Sequence, residues 1–126
     1  MKNILKVIVS LAIFQSTLTF AAGQAFRQSQ FDTLISEGKP VVVHVHAPWC
    51  SNCRAQDPIL NSKMNAPEYK GVTFLEADYD SQKDVLKKFN VSTQSTILVF
   101  KQGKEVGRST GQTKEAVIEE LTKKAL

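Results

Sequence analysis

Residues 40–53 read PVVVHVHAPWCSNC, a run of alternating β-branched residues that ends in a Cys-x-x-Cys pair. Val41, Val43 and Val45 share one face of the implied strand, and Val42, His44 and His46 share the other. Valines on both faces predict a central strand covered on both sides. The segment holds all the cysteines of the chain, Cys50 and Cys53, and both of its histidines.

Working outward, residues 24–38 carry Phe26, Phe31, Leu34 and Ile35 at helical spacing and stop at Gly38-Lys39-Pro40, which predicts a first helix. Residues 51–66 predict a helix with Ile59, Leu60 and Met64 inward and a kink at Pro58. A strand is expected over residues 71–78 and a one-sided helix over residues 81–89. Residues 96–100, TILVF, lead through Lys101-Gln102-Gly103-Lys104 into residues 105–108 as a hairpin. A last amphipathic helix follows Gly111, with Thr113 as its expected cap and Val117, Ile118 and Leu121 inward.

The expected order is α-β-α-β-α-β-β-α. Strands separated by helices imply parallel neighbours and the terminal hairpin is antiparallel, so the fold class is α/β with a mixed central sheet and helices on both faces. At 126 residues, 42% hydrophobic and 22% charged, the chain suits one domain with one core.

The N-terminus reads differently. Lys2 and Lys6 precede an apolar stretch over residues 7–14, and small residues follow at Ala21, Ala22 and Ala25. This is the pattern of a cleaved export signal over residues 1–21, with cleavage after Ala21 or, alternatively, after Ala25. The apolar run is interrupted by Ser10, Gln15 and Ser16 and is shorter than the ~20 residues a membrane-spanning helix needs. Removing residues 1–21 lowers the formal charge from +4 to +2, too little to mark a nucleic-acid surface. An exported chain, periplasmic or secreted, works where disulfides form, and two cysteines there are read as a pair.

Three chemistries are open to Cys50 and Cys53. A staple closing so small a ring contributes only about 2 kcal/mol, the low end for a disulfide. A structural zinc site needs four N or S ligands, the full number of cysteines and histidines in the chain, but His44 and His46 sit on one strand face. Holding or delivering a soft metal such as copper or zinc is therefore the alternative function. Redox exchange has a mechanism. If Cys50 stands before a helix starting near Ser51, its sulfur faces unpaired backbone N–H groups and the positive end of the helix dipole, which favour a thiolate. Cys53, one turn later, is placed to attack a mixed disulfide. A buried His44 imidazole can take up a proton during that step, and His46, nearer the strand end, is expected at the surface or facing substrate.

From about Phe26 to Leu126 the chain resembles the thioredoxin superfamily, on Ala47, Trp49, Cys50, Cys53, Pro58, the strand from Thr96, Gly103 and Gly111. The resemblance implies a thioredoxin-like domain over residues 26–126 with Cys50–Cys53 as a redox-active disulfide. It implies thiol–disulfide exchange with protein substrates, a redox partner protein, no organic cofactor and no metal; a monomer is expected. Trp49 then flanks the nucleophile, and the loop before Thr96 touches substrate through Gln94 and Ser95. The short first strand common in that family is not visible in the sequence. Three positions depart from the family pattern. Ser51-Asn52 separates the cysteines, so redox direction is not inherited. His44 stands where many members carry a buried aspartate, and Ser95 where they carry a cis-proline. A non-proline cis bond costs about 2.5–4 kcal/mol, so Gln94–Ser95 is expected trans. A thioredoxin-fold chaperone with an incidental cysteine pair is a third reading.

Overall fold

Val41–His46 forms the middle strand, β2, of a five-stranded sheet in a computed structural model that describes residues 23–126. Gln24–Ala25 is β1, Thr73–Asp78 is β3, Thr96–Lys101 is β4 and Lys104–Thr110 is β5, in the spatial order β1-β3-β2-β4-β5. Helices Gln28–Ser36 (α1), Ser51–Met64 (α2), Lys83–Lys88 (α3) and Glu115–Lys123 (α4) complete the fold. The export-signal reading of residues 1–21 lies outside the described residues. Among the described residues no helix is long and apolar enough to cross a membrane.

The valines of β2 divide the core as their alternation predicts. Val41, Val43 and Val45 pack with Phe31, Leu75, Val85, Leu86 and Leu98 on the α1–α3 face. Val42 packs with Leu60, Phe74, Ile97, Ile118 and Leu121 on the α2–α4 face. All four valines are buried.

β1 runs parallel to β3 and β3 parallel to β2, while β4 is antiparallel to both β2 and β5. The reversal of β4 corrects the expectation that helix-separated strands are parallel neighbours. Helix α3 has six residues, about 9 Å of rise, against about 20 Å for a six-residue strand. The chain therefore turns back into the sheet from the end where β3 finished. That places the loop before β4 beside the end of β2, where the cysteines begin.

Two boundaries also differ. β1 lies where the first helix was expected to start, and its Gln24 pairs with Leu75. Gly23 precedes it at φ 98°, and a Cβ there would lie 2.5 Å from the Phe74 carbonyl oxygen, so only glycine lets the chain pass this close to β3. Helix α4 starts at Glu115 with Lys114 as its N-cap and no capping side chain, so Thr113 does not cap it. The hairpin turn is as expected: Gln102 and Gly103 both have positive φ, 53° and 78°, the requirement of a tight two-residue connection.

Candidate active site

Cys50 is the N-cap residue of α2, with extended backbone (φ −87°, ψ 114°). Its N–H donates to the Ala47 carbonyl at 3.1 Å, which turns the chain out of β2 and into the helix. Its Sγ then accepts the backbone N–H of Cys53 at 3.1 Å, taking the position a serine or aspartate oxygen holds in an ordinary cap. The two cysteines are joined as a disulfide, Cα atoms 5.2 Å apart. Cys50 keeps 4% of its surface exposed and Cys53 none, so the first sulfur is the one an incoming molecule meets. On reduction, the helix N-terminus and the Cys53 N–H both favour the anionic form of Cys50. Cys53 Sγ lies 3.9 Å from the Val45 carbonyl oxygen.

Trp49 is 56% exposed at the mouth of the site. Its indole N–H donates to Asp80 at 2.9 Å, and its ring meets Tyr79 edge to face, centroids 6.0 Å apart. Tyr79 packs against the Ala47–Cys50–Cys53 cluster and carries the Lys83 ammonium 4.0 Å from its own ring centroid. The exposed apolar ring thus has a fixed orientation beside Cys50.

The Gln94–Ser95 bond is trans. Ser95 is buried in the left-handed region at φ 61°. Its N–H donates to Val45 at 2.8 Å, its carbonyl accepts the Gly111 N–H at 3.0 Å, and its hydroxyl donates to the Gln94 carbonyl. Both the hydroxyl and the N–H of Ser95 are therefore engaged within the fold. Gln94, half-buried, and exposed Ser92 and Thr93 form the outer part of this loop.

His44 lies buried under α2 with Nε2 2.8 Å from Gln56 Oε1. Its Nδ1 faces Asp57 Oδ1 at 3.7 Å. Burial pushes the imidazole down to about 4, against the opposing pull of the Gln56 hydrogen bond and the Asp57 charge, so His44 is neutral at neutral pH. His46 corrects the expectation of a substrate-facing residue. It is largely buried, with Nε2 3.2 Å from Asp57 Oδ2 and Nδ1 2.8 Å from Glu76 Oε1. Both imidazoles are thus engaged by α2 and β3 side chains. Among the described residues, no three His, Cys, Asp or Glu side chains are grouped so as to hold a metal ion.

The thioredoxin family model matches residues 23–124. The chain belongs to the thioredoxin family. It is 36% identical over 89 residues to thioredoxin-1 of Saccharomyces cerevisiae, 71% of this chain and 84% of that one. It is 35% identical over 101 residues to the thioredoxin of Chlamydia trachomatis, covering 79% and 96%. Among solved structures it resembles Trxlp from Edwardsiella tarda, with a TM-score of 0.75, 30% identity, and coverage of 79% and 96%. This thioredoxin-family chain is a thiol–disulfide oxidoreductase that acts on protein disulfides.

Sequence reasoning missed Gln56, Asp57, Glu76 and Asp80. A signal for Gln56 was present: Cys53, Gln56 and Leu60 recur at inward helical spacing, so a polar residue interrupts the buried stripe of α2. Asp80 offered none, because 31 residues separate it from Trp49.

Proposed function

We propose that this thioredoxin-family protein exchanges disulfides with protein substrates in an oxidising extracytoplasmic compartment, as a monomer recharged by a separate redox protein. In the reductive direction the Cys50 thiolate attacks a substrate disulfide. One Cys50–substrate bond forms, and the substrate S–S bond breaks, releasing the first substrate thiolate. Cys53 then gives up its thiol proton to His44, and its thiolate attacks Cys50 Sγ. The Cys50–substrate bond breaks, the second substrate thiolate leaves and is protonated, and two electrons have passed to the substrate as Cys50–Cys53 becomes the disulfide. The oxidative direction is the reverse. Trp49 and the loop carrying Gln94 and Ser95 flank the path by which the substrate chain approaches.

The observation that carries the order of attack is the Cys50 sulfur at the α2 N-terminus, accepting the Cys53 N–H at 3.1 Å while Cys53 is fully enclosed. The test is trapping. With Cys53→Ser the mixed disulfide with a protein substrate accumulates through Cys50, and with Cys50→Ser no adduct forms; an adduct through Cys53 in the second variant refutes the assignment.

The setting rests on the N-terminal segment. Cleavage after Ala21 leaves Gly23 and β1 in the mature protein, whereas cleavage after Ala25 removes them, so the fold favours the first site. N-terminal sequencing of the exported protein tests both, and a chain with residues 1–17 intact overturns the cleaved-signal reading.

A further inference from the structure

Gln56 is a fully buried amide whose three hydrogen bonds join three parts of the fold. Its Nε2 donates to two carbonyl oxygens, Ser95 at 3.0 Å and Gln112 at 2.8 Å. Two acceptors at one end fix that end as the nitrogen, which leaves Oε1 facing His44 Nε2 at 2.8 Å. A carbonyl oxygen only accepts, so His44 Nε2 carries the proton. In the neutral imidazole Nδ1 is then a bare lone pair. It points at Asp57 Oδ1, 3.7 Å away, and both atoms are buried without a hydrogen-bond partner. Two buried acceptors that face each other repel, and a single proton between them converts the repulsion into a charge-assisted bond.

We propose that Gln56 is a positioning residue: it holds His44 in the Nε2–H tautomer, so that the proton leaving Cys53 during resolution is held between His44 Nδ1 and Asp57 Oδ1. This rests on the reading that Cys53 resolves. Cys53, Gln56 and Asp57 stand at i, i+3 and i+4 on one face of α2, over the strand that carries His44. The proton passes from the Cys53 thiol to Nδ1, the imidazolium pairs with the Asp57 carboxylate, and the thiolate left behind attacks Cys50. When the second substrate thiolate leaves, the proton is released and the neutral tautomer returns.

The charged and titratable groups around His44 are few. From α2 come Asp57 and Cys53. His46, its neighbour on the same strand face, has its ring centroid 5.5 Å away and is bonded to the other Asp57 oxygen. From β3 comes Glu76, the register partner of His44, paired with His46. The β4 residue opposite is Ile97, which does not titrate.

The arrangement also couples the base to the substrate loop. The amide that orients His44 is bonded to the Ser95 carbonyl, so a displacement of that loop on substrate binding acts on the tautomer lock.

The first test needs no variant and no turnover: long-range proton–nitrogen NMR of the oxidised protein at pH 7. A protonated Nε2 with an unprotonated Nδ1 on His44 is the expected result, and the Nδ1–H tautomer overturns the inference while leaving the exchange chemistry intact. The second compares rapid-mixing rates of the two chemical steps. Gln56→Met removes every hydrogen bond of the amide and slows resolution at least roughly tenfold with first attack unchanged. Gln56→Glu keeps an acceptor for His44 Nε2–H but loses both donors, and it retains the tautomer and most of the resolution rate. Equal slowing in the two variants, with the tautomer kept in the Glu form, overturns the positioning role. If both variants fold poorly, Asp57→Asn serves in their place, because its amide N–H donates to Nδ1 and blocks the proton. It slows resolution and not first attack, and an unchanged resolution rate overturns the proposal. Trapping through Cys53 would instead refute the order of attack and leave the tautomer result standing.

Discussion

The backbone N–H of Ser95 donates to the Val45 carbonyl at 2.8 Å, and the sulfur of Cys53 lies 3.9 Å from that same oxygen. One carbonyl at the end of β2 therefore holds the loop before β4 and borders the enclosed cysteine. Proline at position 95 has no N–H to give and fixes φ near −65°, against 61° here. Ser95→Pro is expected to destabilise the fold by at least roughly 2 kcal/mol. Ser95→Gly keeps the N–H and removes the left-handed strain, and should raise stability by up to about 1 kcal/mol. Urea unfolding midpoints of the two variants check both; an unshifted midpoint for the proline variant contradicts the expectation.

His44 makes stability depend on pH. Burial lowers its folded-state value to about 4 from an ordinary 6.5, so below 6.5 the unfolded chain binds a proton that the folded chain refuses. Its contribution is fully present above about pH 6.5 and is lost as pH falls towards 4, on the order of 3 kcal/mol in all. His44→Leu should lose less stability than the parent protein between pH 7 and pH 4.5. The unfolding free energies of both proteins at those two pH values decide it, and parallel losses remove His44 as the cause.

The sheet's centre and the reactive pair were legible because each is written in a short, local pattern. The period of two in Val41 to Val45 marks a strand with two buried faces, and Cys50 before a helical run marks a sulfur at a helix start. β1 was not legible, since two residues carry no period. The direction of β4 depends on how far six-residue α3 carries the chain, a length that the apolar pattern over residues 81–89 overstated. At the site, Cys50 and Cys53 were found from spacing alone, but the surroundings of His44 and His46 were not. Asp57 lies 11 residues from His46 and Glu76 is brought in only by the parallel register of β2 with β3, where His44 faces Glu76 and His46 faces Asp78. Those contacts are properties of the assembled sheet and helix.

The start of the mature chain has a measurable consequence for the fold. A protein beginning at Ala22 keeps the pairing of Gln24 with Leu75 and Ala25 with Glu76, while one beginning at Phe26 keeps only the Phe26 N–H to the Glu76 carbonyl at 2.8 Å. The shorter protein exposes the edge of β3 and should be less stable by about 1–2 kcal/mol. Thermal unfolding of the two forms, with amide exchange at Leu75 and Glu76 as a local readout, tests this; equal protection at those amides means that β1 contributes nothing.

Trp49 presents a large apolar ring beside Cys50 and is held from behind by Asp80 and Tyr79. A fixed aromatic surface loses little freedom when a protein chain docks on it, which is how a single residue comes to dominate an interface. Trp49→Ala should lower kcat/KM for a protein disulfide by about 30-fold, some 2 kcal/mol, while attack on a small disulfide that never covers the ring changes little. Asp80→Ala keeps the ring and frees its orientation, so its effect on the protein substrate should be smaller and fall mainly on KM. Steady-state kinetics with one protein and one small-molecule disulfide separate the cases. Equal losses on both substrates would mean that Trp49 acts on the reactivity of Cys50 and not on docking.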